Sequence, residues 1–255
     1  MREKHLQQTP LLDFASDPIR RLIEAEGWFQ LPAFERIGEA YTFVRDRIAF
    51  GYNRDDNVPA SAVLADGYGQ CNTKGTLLMA LLRALGVSCR LHGFTIHKAL
   101  QRGVVPELVY GLVPDSVLHS WVEIYHDGRW TNLEGFILDR PFLSALQAKF
   151  SGKGGDFCGF GVGTDCLSAP PIYWIGADTY IQRTGINADL GLFDSPDDFY
   201  AKHRQGLGWF RRLLYRNVIR HWMNARVRRV RRGEIPDIPA IVSHTHDVPG
   251  SRRAA

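Results

Sequence analysis

The chain has 255 residues, 45% hydrophobic and 23% charged, with a net charge of +4. That length and balance support a buried core and exclude a disordered chain. No 18 uncharged apolar residues run together, so no membrane span is predicted; the polar first residues lack the apolar stretch of a secretory leader, and the expected compartment is the cytoplasm.

Asp17 followed by Pro18 predicts a short helix over 18–26. Phe34, Ile37, Ala40, Tyr41, Val44 and Ile48 recur at helical spacing and predict an amphipathic helix over 34–48. A polar break over 51–57 precedes a short helix over 58–64, and Asp66-Gly67-Tyr68-Gly69 reads as a tight turn. Leu77, Leu78, Leu81, Leu82 and Leu85 mark a helix over 71–85 that Gly86 stops. The period then changes to two, with strands predicted over 89–96, 110–113, 119–125 and 129–133. Asp127-Gly128 between the last two supplies the positive φ angles of a two-residue hairpin turn. Helices packed on an antiparallel sheet give the α+β class.

Residues 151–164, glycine-rich and carrying Lys153, Phe157 and Phe160, read as a long loop of the kind that walls or covers a site. A helical pattern returns over 197–232, and 233–255 reads as a loosely held tail. The expected organisation is a catalytic domain over 1–190, an arginine-rich helical extension over 191–235 and a flexible tail over 236–255.

Cys71 falls at the start of its helix, where unpaired N–H groups and the helix dipole favour an anion. A free thiol with a pKa of about 8.5 is a poor nucleophile at neutral pH, so a nearby imidazole is needed to hold its proton and later deliver it. His119 is the candidate, because strand alternation puts His119, Trp121, Glu123 and Tyr125 on one face. With a two-residue turn, His126 faces Arg129, Trp121 faces Glu134 and His119 faces Phe136, which makes Glu134 a same-face diagonal neighbour of His119. A three-residue loop would invert that parity. Asp139 and Asn132 are the alternative third members. A tetrahedral intermediate also needs an oxyanion hole; the Cys71 N–H is one donor, with Gln70, Tyr68 or Tyr52 as side-chain candidates.

The runs Gly69-Gln70-Cys71-Asn72-Thr73-Lys74-Gly75, His119-Ser120-Trp121-Val122-Glu123 and Trp130-Thr131-Asn132-Leu133-Glu134 resemble, in order and over roughly 34–135, the cysteine, histidine and acid motifs of the transglutaminase-like superfamily. The resemblance implies a papain-like fold, with Cys71 as nucleophile, His119 as general base and acid, and Glu134 as the residue orienting the imidazole. Glu134 departs from the Asp usual in that family. The family includes proteases, amidases, cross-linkers and acyl transferases, so the resemblance implies an amide or related acyl substrate, peptide or small molecule, without naming one.

Four cysteines read as thiols in such a chain. Cys158 and Cys166 lack the paired histidines or second cysteine pair of a zinc site, and no acidic loop has calcium-ligand spacing, so no metal or cofactor is expected. Ten arginines lie within 204–232. Between them Trp209, Phe210, Leu213, Leu214, Val218, Ile219, Trp222 and Met223 form an amphipathic stripe. Docking of the stripe on the catalytic domain is the expectation, peripheral membrane contact through 209–232 the alternative, and nucleic acid is disfavoured for want of a binding motif. The functional expectation is a cysteine hydrolase or acyltransferase working through a Cys71 thioester; its rival is a non-catalytic scaffold of the same fold tethered by the basic helix.

Overall fold

The structure is a computed structural model and describes residues 3–152, 155–206 and 208–238. The N-terminal periodicity folds as α1 (Asp17–Ala25), with Pro18 in its first turn, and α2 (Ala33–Asp46), which buries Ile37, Ala40, Tyr41 and Val44. The two-residue strand β1 (Ala49–Phe50), the helix α3 (Ala60–Asp66) and β2 (Tyr68–Gly69) follow, and β1 and β2 pair in parallel. Next comes α4 (Cys71–Ala84), whose residues from Cys71 to Arg83 are all buried. A helix apolar around most of its circumference must be enclosed, and α4 lies between the main sheet and the pair α2 and α3.

The chain continues through β3 (Cys89–His97), the helical turn α5 (Glu107–Tyr110), β4 (Ser116–His126), β5 (Arg129–Leu133), α6 (Arg140–Lys149), the hairpin strands β6 (Phe157–Gly159) and β7 (Val162–Thr164), β8 (Ile186–Phe193) and α7 (Pro196–Lys202). The main sheet is antiparallel with order β5-β4-β3-β8. At the β4–β5 turn, Asp127 and Gly128 have φ of 48° and 81° and His126 pairs with Arg129, the two-residue turn that the sequence predicts. Finally α8 (Trp209–Leu214), a π turn (Tyr215–Ile219) and α9 (Arg220–Arg231) run as one helix. Among the described residues no helix is long and apolar enough to cross a membrane.

Three sequence expectations change. The strand expected over 110–113 is absent: Pro106 starts the turn α5 there, and both edges of β3 are already occupied by β4 and β8. The glycine-rich stretch 151–164 is a short hairpin in its second half, where Phe160 (φ 54°) and Gly161 (φ 76°) make the turn, and the Phe160 ring packs at Gly103. It packs against Phe50 and Gln182, and none of its described residues lines the cleft beside Cys71. The basic stripe docks by only one of its faces. Lys153 and the tail from 239 onward lie outside the described residues.

Gly135, one residue past Glu134, is packed against the backbone of Ile172: an added Cβ would lie 2.7 Å from Ile172 Cα and 2.6 Å from Tyr41 Oη. Gly135→Ala is therefore expected to lower stability by about 1–3 kcal/mol, the usual cost of overpacking, read as a lower denaturant midpoint with an unchanged slope.

Candidate active site

Gln70 caps α4 and Cys71 is its first residue. The approach to the helix is tight: a Cβ on Gly69 would stand 2.6 Å from Thr73 Oγ1, so only glycine lets the strand β2 enter here. Thr73 Oγ1 accepts from the Gln70 N–H (3.1 Å) and donates to Asn53 Oδ1 (2.6 Å), while Asn53 Nδ2 donates to Asp66 Oδ2 (2.8 Å) and the Tyr68 carbonyl (3.0 Å). These bonds fix the start of α4 against the loop 53–57.

Asn72 then sets the distance between helix and sheet. Its Nδ2 donates to the Leu118 carbonyl at 3.2 Å, and its Oδ1 accepts from Ser120 Oγ at 2.9 Å. The two contacts bracket His119, so one side chain next to Cys71 holds β4 on both sides of the imidazole. His119 is fully buried, whereas Cys71 retains slight exposure at a cleft of about 320 Å³.

His119 Nε2 lies 2.7 Å from Glu134 Oε1, and Glu134 is also fully buried. The paired ladder of β4 and β5 ends at Val122 and Leu133, short of Trp121 and Glu134. At Glu134 the chain turns instead to residues 179–182: its N–H donates to the Thr179 carbonyl (3.0 Å), and its Oε2 accepts from the Ile181 N–H (2.9 Å) and the Gln182 N–H (3.0 Å). The longer glutamate side chain thus reaches both the imidazole and a pair of backbone donors. Those donors were not readable from the sequence, since the segment carrying them has no motif. With Nε2 engaged, Nδ1 is the free ring nitrogen; it is buried without a hydrogen-bond partner of its own, so it is the one available to Cys71. Burial alone would lower the His119 pKa, but the Cys71 thiolate and the Glu134 carboxylate outweigh it and push it up to about 10.

The other candidates fall elsewhere. Asp139 caps α6 through the Phe142 N–H and is paired with Arg231 at 2.6 Å. Asn132 is bound to Asp178 and Tyr180. Neither alternative is free to face His119. Gln70 lines the cleft, with its Nε2 donating to Asp56 Oδ1 at 2.6 Å. Tyr68 is outside the cleft lining and packs at Gly51. Tyr52 lines the cleft and donates to Gln101 Oε1 at 2.8 Å. Asp56, also in the lining, is pushed up to about 6 by burial against the pull of Gln70.

The far wall of the cleft is the C-terminal helix. Asn224 clamps Tyr52 through its N–H (2.7 Å) and carbonyl (3.0 Å), Tyr215 Oη donates to the Asn53 carbonyl (3.1 Å), and Arg212 and Arg216 both reach Asp55 (2.6 and 3.2 Å). All four cysteines are free thiols; Cys89 is buried, Cys158 half-buried and Cys166 exposed. Among the described residues no group of three or more His, Cys, Asp or Glu side chains could hold a metal ion.

The site is therefore an enclosed thiol at a helix start, beside an imidazole that a buried carboxylate holds, in an α+β fold. Residues 28–135, which include Cys71, His119 and Glu134, match the model of the transglutaminase-like superfamily. A solved structure, a candidate cysteine protease from Cytophaga hutchinsonii, aligns with a TM-score of 0.43 and 13% identity over 76% of this chain and 47% of that one, so this chain spans about half of that protein's length. Among curated proteins none matches. The segment 179–182 and the helical wall of the cleft both lie outside the matched core.

The raised His119 pKa carries a sign. The folded chain keeps a proton that the unfolded chain loses above about 6.5, so the contribution to stability is full below that pH and is lost as pH rises through about 10. The imidazole, followed by NMR, should stay protonated through neutral pH. Glu134→Asp withdraws the carboxylate by one methylene, so the titration should move to lower pH; an unchanged titration would mean that Glu134 does not support the charge.

Proposed function

We propose that the protein is a cysteine hydrolase or acyltransferase that cleaves an amide or related acyl bond through a thioester on Cys71. The observation that carries the reading is the division of labour on His119, with Nε2 held by a fully buried glutamate and Nδ1 left for the thiol. The Cys71 thiolate attacks the carbonyl carbon, and the negative charge of the tetrahedral intermediate falls to the Cys71 N–H at the helix start. The bond to nitrogen then breaks as His119 delivers its proton to the leaving amine, leaving the acyl group on sulfur. Water or a second amine, deprotonated by His119, attacks the thioester and restores the thiolate–imidazolium pair. Glu134 orients the ring throughout and supports its positive charge.

The cleft favours an apolar acyl group. Val105, Val109, Leu112, Val117, Leu118 and Met223 are in its lining, while Arg54, Arg204 and Arg211 stand on the same lining without a carboxylate partner among the described residues. An amide with an apolar acyl portion and an anionic group matches that surface.

Iodoacetamide labelling tests the reading directly. Cys71 should alkylate faster at neutral pH than the exposed Cys166, and His119→Ala should remove the difference. In an amide library, Cys71→Ala should abolish turnover and His119→Ala should reduce it by about 10²–10⁴-fold, the usual worth of a positioned acid and base. A Cys71 that labels no faster than Cys166, with turnover indifferent to both substitutions, would sink the proposal.

A further inference from the structure

The reaction leaves one large feature unused, the outward face of the C-terminal helix. Its eight apolar residues form one stripe in sequence, but the structure separates them into two. The π turn at Tyr215–Ile219 adds one residue to the helical repeat, so positions five apart across it fall on the same side. Leu214 and Ile219 therefore line up with the buried Met223, Val227 and Val230 and close the cleft wall. Leu213 and Val218 line up with Trp209 and Trp222 on the neighbouring line, about 100° round the helix, and stay exposed. Trp209 is 80% exposed, Phe210 62%, Leu213 53% and Trp222 45%.

Aromatic and aliphatic side chains contiguous in water on one helix mark a surface that a partner covers. Its charge says which kind. Residues 204–232 contain ten arginines and no aspartate or glutamate. Arg212 and Arg216 are bound to Asp55, Arg231 to Asp139 and Arg229 to Glu234. Arg211, Arg228 and Arg232 are exposed and have no carboxylate partner among the described residues.

We propose that this face docks on an anionic lipid surface. Tryptophan and phenylalanine settle at the depth of the headgroups, arginine stems lie along the boundary with their charges toward lipid phosphates, and the two contributions add. A second copy of the chain would set unpaired arginines against one another, with no acid in the segment to answer them. A nucleic acid would satisfy the arginines and leave Leu213 and Val218 in water. Arg211, Arg212 and Leu214 of the same helix line the cleft, so docking sets the mouth of the site at the lipid surface.

The test is sedimentation of the full-length chain with phosphatidylcholine vesicles, with and without added phosphatidylglycerol, at low and high salt. It is run in a Cys71→Ala background so that its result is independent of the acyl-transfer reading. Binding should require phosphatidylglycerol, weaken as salt rises and shift tryptophan emission to the blue. The Trp209→Ala, Phe210→Ala, Trp222→Ala triple variant changes only exposed side chains; with circular dichroism matching its parent, it should lose about tenfold or more in affinity, since each ring removed from the interface forfeits apolar burial. Absence of vesicle binding at low salt overturns the proposal, and so does binding that the triple variant leaves intact. Self-association or nucleic-acid binding that the variant abolishes, in a protein that ignores vesicles, overturns it equally.

Discussion

Glu134 has no exposed surface, and a buried carboxylate persists only where its charge is answered by donors or by an opposite charge. Here Oε2 takes the two backbone amides of Ile181 and Gln182, and Oε1 takes the imidazole of His119. The arrangement imposes its terms on much of the molecule. The chain must leave the β4–β5 ladder at Leu133, residues 179–182 must run beside it, and Gly135 must be small enough to let Ile172 close over the turn. In return the imidazole is held in one orientation with its second nitrogen free. The site is thus a buried ion pair reaching toward a slightly exposed thiol, not a surface group of reactive side chains.

The parts of this that local rules govern were legible in the sequence. The Asp127-Gly128 turn set the parity of the hairpin and so pointed to Glu134 as the neighbour of His119, although the ladder ends at Leu133 and residues 179–182 complete the placement of Glu134. The spacing of Leu77, Leu78, Leu81 and Leu82 defined α4, and Cys71 fell at its start. What was not legible depends on partners distant in the chain. Nothing near Asn72 announces that its amide will span to Leu118 and Ser120, and residues 179–182 offer the glutamate only backbone groups, which have no sequence signature. The helix α6 is a different case: Asp139-Arg140-Pro141 is a cap and a first-turn proline of the same kind as Asp17-Pro18, and its signal was available. The edge strand β8 carries Ala188 and Gly191 among its eight residues, so its alternation is faint.

The C-terminal helix shows how a single turn changes what a pattern means. In a regular α-helix, at about 100° per residue, Trp209 and Val218 would stand on opposite sides and the stripe would be scattered. The extra residue of the π turn instead keeps the apolar residues in two neighbouring lines, about 100° apart, one turned to the cleft and one to water. One line completes the cleft, and the other is left for a surface outside the molecule. The arginines divide in the same way, some binding Asp55 and Asp139 and others having no carboxylate partner among the described residues.

Asp139 binds the Phe50 N–H at 2.7 Å, caps α6 and receives Arg231 in a two-pronged contact of 2.6 and 2.9 Å. One carboxylate therefore ties a strand near residue 50 to the last described helix. During synthesis the chain emerges from its N-terminus, and domains fold as units. The matched core, with its thiol and imidazole, is made first, while the amides that hold Glu134 and the arginine that satisfies Asp139 come much later. A nascent chain thus carries Cys71 through a further stretch of more than half the chain's residues before the pocket around it can close.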